Sequence, residues 1–145
     1  MNKDIANGVR LEVPDLVLPW HTRPESVQRI VGEGHLHKAT EKYWIFPCVA
    51  LGGLQMRAGL HFTPALQEVE FFEISKDGRY GALELRASYD LFQQQLVAAF
   101  GEPDLTEAGS IDPAYPSYTW YRQSVLVRHF VHDRNGPEEH VRIKT

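Results

Sequence analysis

Two histidine pairs are the residues best suited by type to chemistry. His35 and His37, at i and i+2, fall on one side of a strand or loop, a spacing at which two imidazoles can share a metal ion. A metal centre needs a third protein ligand. Glu33 and Glu41 lie nearby, but no spacing marks either, so His35 and His37 read as solvated loop residues and no metal is assigned. In His129-x-x-His132-Asp133 the histidines are three apart, which on a strand sends them to opposite faces, where they cannot chelate together. His129 precedes Phe130 as His61 precedes Phe62, and that match argues for a structural role.

The remaining reactive side chains are scattered. Glu68 and Glu70 alternate with apolar residues along a strand-like run, the pattern of a solvated face. An acid–base pair needs one carboxyl desolvated to raise its pKa, and no such pair is marked. Serine, histidine and aspartate occur without a nucleophile elbow, and Gly52-Gly53 suits a hairpin turn better than a phosphate loop. Cys48, the one cysteine, sits in Ile45-Phe46-Pro47-Cys48-Val49-Ala50-Leu51, which makes it a buried hydrophobe and excludes an internal disulfide or thiolate cage. The expectation is a protein that is not an enzyme and uses no cofactor.

Elements that could position these residues follow from periodicity. Leu54, Met56, Ala58, Leu60 and Phe62 alternate with Gln55, Arg57, Gly59 and His61, a half-buried strand. Residues 9–13 and 16–18 give one strand broken at Pro14 or two short ones. Thr22, Pro24 and Glu25 form a capping signature for a helix whose face carries Val27, Ile30 and Val31 and which stops at Gly32 or Gly34. A second helix, capped at Ser88 or Asp90, buries Phe92, Leu96, Ala99 and Phe100 and ends at Gly101 and Pro103. Around Val69 to Ile74 a further strand slips phase at Phe71-Phe72, which predicts a bulge or two covered faces.

These elements recur in order. Leu16-Val17-Leu18, a helix, Gly32-Glu33-Gly34, an aromatic strand, His61-Phe62 and Val69-Glu70-Phe71 correspond to Leu83-Glu84-Leu85, a helix, Gly101-Glu102-Pro103, an aromatic strand, His129-Phe130 and Val141-Arg142-Ile143. The fold class predicted is α+β: a single domain, 1–145, of two β-α-β-β-β repeats (about 9–75 and 80–144) with short helices on one side of an antiparallel sheet. Turns at Ser75-Lys76-Asp77-Gly78 and Asn135-Gly136-Pro137 mark the repeat boundary and the last hairpin.

Composition restricts the partners. The 145 residues carry a formal charge of −4, which argues against nucleic-acid binding and is compatible with docking onto a basic protein. No run reaches the ~20 apolar residues of a membrane span, and the first residues lack a signal-peptide core, so cytoplasmic residence is expected. Aromatics are concentrated on the second repeat's strand, beside the polar loop 106–117. Asp112, Tyr115, Tyr118, Trp120 and Tyr121 are the candidate partner-binding residues, since Tyr and Trp anchors dominate interface energy. Alignment on the His-Phe pair places Leu126 and Phe130 on the core face. Val125, Val127 and Val131 then form an apolar face to be covered by the other repeat, a partner or a second copy in a homodimer.

Leu18-Pro19-Trp20, the helices ending in Gly32-Glu33-Gly34 and Gly101-Glu102-Pro103, and the strands after them resemble tandem repeats of the β-lactamase-inhibitor-protein-like type, over roughly residues 9 to 144. Small cytosolic immunity proteins of bacterial polymorphic-toxin systems are often built this way. The resemblance implies helices on an antiparallel sheet whose concave face grips another protein. Each repeat here has one clear helix rather than two, and the secreted inhibitor's disulfides are absent, so no inhibitory residue carries over. The function expected is protein binding, as an immunity protein that neutralises a cognate toxin by occlusion; the alternatives are a small-ligand or metal-binding module and a homo-oligomeric structural subunit.

Overall fold

The computed structural model describes residues 5–72, 82–133 and 137–145. The chain begins with a hairpin, β1 (Gly8–Leu11) and β2 (Leu16–Pro19), which forms a two-stranded sheet of its own. Helix α1 (Pro24–Val31) and a 3-10 turn (Glu33–His35) lead into β3 (His37–Lys38), β4 (Tyr43–Ala50), β5 (Leu54–Phe62) and β6 (Leu66–Phe72). Helix α2 (Ala82–Phe100) leads into β7 (Leu105–Glu107), β8 (Ser117–Arg122), β9 (Val125–Asp133) and β10 (Pro137–Lys144). The second sheet has eight strands in the order β3-β4-β5-β6-β10-β9-β8-β7. Its described pairings are all antiparallel. The last strands of the two runs meet at the centre, with Val141 opposite Phe71 and Ile143 opposite Val69.

The α+β class is as expected, but the order within each half differs. Leu83-Glu84-Leu85, read as a strand, belongs to α2. Leu, Glu, Arg and Ala are strong helix formers, and Leu85, Tyr89, Phe92 and Leu96 recur at three- and four-residue spacing on the buried stripe. That stripe extends the helix well ahead of Ser88. Strand β2 pairs with β1 rather than with the large sheet. Each helix is therefore followed by four strands, instead of standing between one strand and three.

Local signals fare unevenly. Gly32 (φ 95) stops α1, Gly101 (φ 82) stops α2, and Gly52 and Gly53 (φ 79 and 95) turn β4 into β5, each using the left-handed region that glycine tolerates. The capping box of α1 does not form: Arg23 is the N-cap with no side-chain bond, while the Thr22 hydroxyl donates to the Pro19 carbonyl at 2.6 Å. Ile30 is 39% exposed and lies off the buried stripe of Val27 and Val31. No bulge falls at Phe71-Phe72, which pair in unbroken register with Ala58 and Arg57; register shifts at the other end of β6, where His61 is opposite Glu68 and Phe62 opposite Leu66, so that Gln67 is the extra residue. The turns expected at 75–78 and 135–136 lie outside the described residues.

Both helices cover the same side of the large sheet. Val27 and Val31 of α1 join Trp44, Phe46 and Cys48; Phe92, Leu96 and Phe100 of α2 join Trp120, Val125, Val127, Val141 and Ile143 in one core. Each fully buried aliphatic side chain there contributes about 1.5–3 kcal/mol relative to exposure. Arg122 ties the end of α2 to the sheet, donating to the Phe100 and Glu102 carbonyls (2.9 Å each) and to Asp104 (2.6 Å). No helix among the described residues is long and apolar enough to cross a membrane.

Candidate functional site on the helix-free face

Alternation sends every second strand residue to the side without helices. Cross-strand register gathers Tyr43, His61, Glu68, Glu70 and Phe72 there with His140, Arg142, Arg128, Phe130 and His132. Glu70 is the centre of this face. It is only 5% exposed, although its neighbours Gln67 and Glu68 are half-buried.

Four side chains converge on the Glu70 carboxylate. Tyr43 donates its hydroxyl to Oε2 at 3.3 Å, and His61 Nε2 lies 3.4 Å from the same oxygen. Arg142 Nε donates to Oε1 at 3.4 Å, and His140 Nδ1 stands 2.6 Å from Oε1. The His140 contact is an ion-pair approach whose angle falls short of a directed hydrogen bond. Burial pushes the Glu70 pKa up, but His140, His61 and Arg142 more than offset it and hold the carboxyl well below its ordinary value. The result is a buried anion fixed in place from β4 and β5 on one side and β10 on the other.

An aromatic and cationic layer lies over this centre. Phe130 stacks on His140 (centroids 5.7 Å apart, planes at 19°), with Arg128 at 4.8 Å and Arg142 at 5.6 Å over its ring. Phe72 approaches His140 from the other side at 6.5 Å. Phe72, Arg128, Phe130 and Arg142 are half-buried, so part of each remains available to a partner. Arginine and aromatic side chains are the residue types most enriched among interface anchors.

A second polar cluster lies on the opposite side, under α2. His129 Nε2 is 2.5 Å from Glu139 Oε2, and its Nδ1 is 2.8 Å from Gln93 Oε1. Ser88 donates to Glu139 Oε1 at 2.5 Å, and Tyr89 stacks on the His129 ring at 4.2 Å. Serine here reaches the carboxylate and not the imidazole, and His129 is fully buried, so the order and the access required of a nucleophilic triad are both missing. The cluster fixes α2 on the sheet. It also separates His129 from its sequence match: His61 lies on the helix-free side, His129 on the other.

The aromatic residues chosen from sequence do not form one surface. Trp120 is fully buried, donating Nε1–H to the Gly101 carbonyl at 2.8 Å, and Tyr118 packs against Tyr89 and His129. Tyr115 is half-buried between Tyr89 and Arg86. Asp112 is exposed and accepts from the Ala114 amide at 2.9 Å, closing a local turn. Tyr121 alone of the four aromatics is exposed, at 59%, and it lies on the helix-free side. The strand phase explains this: along β8, Tyr118 and Trp120 point to the helix side and Tyr121 to the other, while Tyr115 precedes the strand.

The face formed by Val125, Val127 and Val131 is likewise reassigned. All three are buried on the helix side, packed into the cores that α2 completes, and Leu126 and Phe130 point the other way. A one-residue change of phase moves the whole set across the sheet. No second copy can reach these valines while α2 is in place.

His35 and His37 are exposed, and neither belongs to the described group of three side chains that could hold a metal ion. Cys48 is buried, and desolvation pushes its thiol pKa up to about 12. A cavity of about 410 Å³ opens beside it at the outer edge of β4, lined by Val13, Val31, His35, Phe46, Pro47 and Gln55 among others. Sequence reading missed Glu70 and His140 as a pair. The signal was the final hairpin, whose register sets His132 opposite Glu138 and Phe130 opposite His140, all with one phase.

Comparison with known proteins supplies no further assignment: no protein-family model matches the chain. Neither a curated protein nor a solved structure is significantly similar to it.

Proposed function

We propose that this chain binds another protein through the helix-free face of its large sheet and acts by covering that partner, as an immunity factor covers a toxin. The observation that carries this reading is the Phe130 cluster, with Arg128, Arg142 and His140 packed around one half-buried ring. Anchors of this kind dominate interface energies, and anchors already held in place lose less freedom on binding. The ion pairs of Glu70 supply the holding.

The charge pattern refines the mechanism. Arg128, Arg142 and Lys144 share the face with Glu68 and Glu138, so complementarity to a partner would be of mixed sign rather than acid against base. The recurrence of one helix plus four strands, joined at the β6–β10 seam, supports descent from two fused copies, with the broad face arising from two smaller ones. Its test is to mix the chain with a toxin domain encoded beside it. A stable complex and lost toxicity are expected, with affinity reduced at least tenfold by Arg128→Glu combined with Arg142→Glu. Intact toxicity at saturating chain contradicts the reading.

The cavity at β4 favours a second reading, the binding of a small apolar ligand between α1 and the β1–β2 hairpin. Filling it by Val31→Phe would abolish uptake of an apolar fluorescent probe; unchanged uptake would dismiss the cavity as the site.

A further inference from the structure

We propose that His132, Glu138 and His140 form a binding site for a divalent transition-metal cation, of which Zn2+ is the representative, on the β9–β10 hairpin. This inference does not rest on the protein-binding reading. One ligand atom from each of the three lies within 4.8 Å of the others, the one such group of three among the described residues. The hairpin register creates the set: His132 is directly opposite Glu138, and His140 follows Glu138 by two residues, on the same face.

The chemistry around His140 is what distinguishes this group from a chance cluster. Its Nδ1 is 2.6 Å from Glu70 Oε1, and its Nε2 is 3.3 Å from Glu138 Oε2. A carboxylate at each ring nitrogen leaves a neutral imidazole with one lone pair facing an anion. A metal ion at Nε2, with the ring N–H on Nδ1 toward Glu70, would meet both carboxylates. Metal-bound histidines are typically oriented by a carboxylate on their second nitrogen, which fixes the tautomer and strengthens the ligand. Glu70 stands at that position at ion-pair distance, and is itself buried and held by Tyr43, His61 and Arg142.

Two imidazoles and one carboxylate are a donor set suited to zinc and its neighbours, with a coordination position left for water or a partner's side chain. Ligand atoms around a tetrahedral ion with bonds of about 2.0–2.2 Å lie closer together than 4.8 Å; His140 Nε2 and Glu138 Oε2, 3.3 Å apart, already have such a spacing, and any wider pair draws in on binding. His132 and Glu138 are half-buried and flank a hairpin end, so they can make that adjustment, while His140 is held by Glu70. The ring of His132 already stands 5.1 Å from that of His140 at 77°.

The test is calorimetric titration of the full chain with ZnCl2, with Co2+ absorption as the coordination readout. One ion per chain with micromolar or tighter affinity is expected, together with the absorption bands of low-coordinate cobalt and a raised melting temperature. His132→Ala and Glu138→Gln, each checked for unchanged apo circular dichroism, should weaken binding at least tenfold. Glu70→Gln should weaken it about 10- to 100-fold without changing the stoichiometry. His35→Ala combined with His37→Ala should leave it unaffected. Absence of binding overturns the proposal. Binding that survives the His132 and Glu138 changes, or disappears with His35 and His37, overturns it equally.

Discussion

His129 and Glu139 face each other 2.5 Å apart beneath α2, with 0% and 2% of their surfaces exposed. They lie on adjacent strands, offset by two along the register in which His129 is opposite Val141 and Glu139 is opposite Val131. Ser88 and Gln93 of α2 complete their hydrogen bonds from above. The helix is thus fastened by a polar contact as well as by Phe92 and Leu96.

Breaking that pair should cost far more than replacing it. His129→Ala or Glu139→Ala alone should lower stability by about 3–5 kcal/mol, because the remaining partner is buried without compensation. His129→Leu together with Glu139→Leu should cost clearly less than the sum of the two single changes. Urea denaturation of the four-member cycle measures the coupling; strictly additive losses would mean that the two side chains do not act as a pair.

Adjacent residues of β8 should respond oppositely. Trp120→Ala removes a fully buried ring and is expected to cost about 3–5 kcal/mol. Tyr121→Ala removes a ring that is 59% exposed and should stay within about 0.5 kcal/mol. Equal losses in thermal or chemical unfolding would contradict the strand phase assigned here.

Alkaline stability should depend on Cys48. Above its ordinary pKa of 9.0 the thiol of the unfolded chain loses its proton, whereas the folded chain retains it to about 12. The unfolded state then binds fewer protons, so the contribution is fully present below pH 9.0 and is lost progressively as pH rises toward 12. At about pH 10.5 the loss is roughly 2 kcal/mol relative to neutral pH. Cys48→Ala lacks it. Unfolding midpoints of both proteins at neutral and alkaline pH should therefore converge as pH rises; a constant difference would place the thiol in solvent.

Much of the scaffold was legible because burial enforces periodicity. Strand β5 was readable end to end, since Leu54, Met56, Ala58, Leu60 and Phe62 share one face and polar residues the other. Strand β9 misled for a physical reason: each phase mixes apolar and polar residues, Val125, Val127 and Val131 with His129 on one and Leu126 and Phe130 with Arg128 and His132 on the other, and His129 is on the buried side. Burial of that histidine depends on Glu139 and Gln93, ten and thirty-six positions away, which no local window contains. The candidate site was hidden for the same reason. Glu70 reads as a solvated carboxylate until β10 is set beside β6 and delivers His140 and Arg142 to it. The start of α2 was lost because Leu83-Glu84-Leu85 fits a short strand as well as a helical turn, and only the continuing stripe to Phe92 decides between them.

The central claim is that a partner meets the helix-free face. A photo-crosslinking residue in place of Phe130, compared with one in place of the exposed Leu91 on α2, tests it in the native host. A single protein adduct from position 130, suppressed by Arg128→Glu with Arg142→Glu and absent from position 91, is the predicted result. Adducts from position 91 but not from 130 would contradict the account.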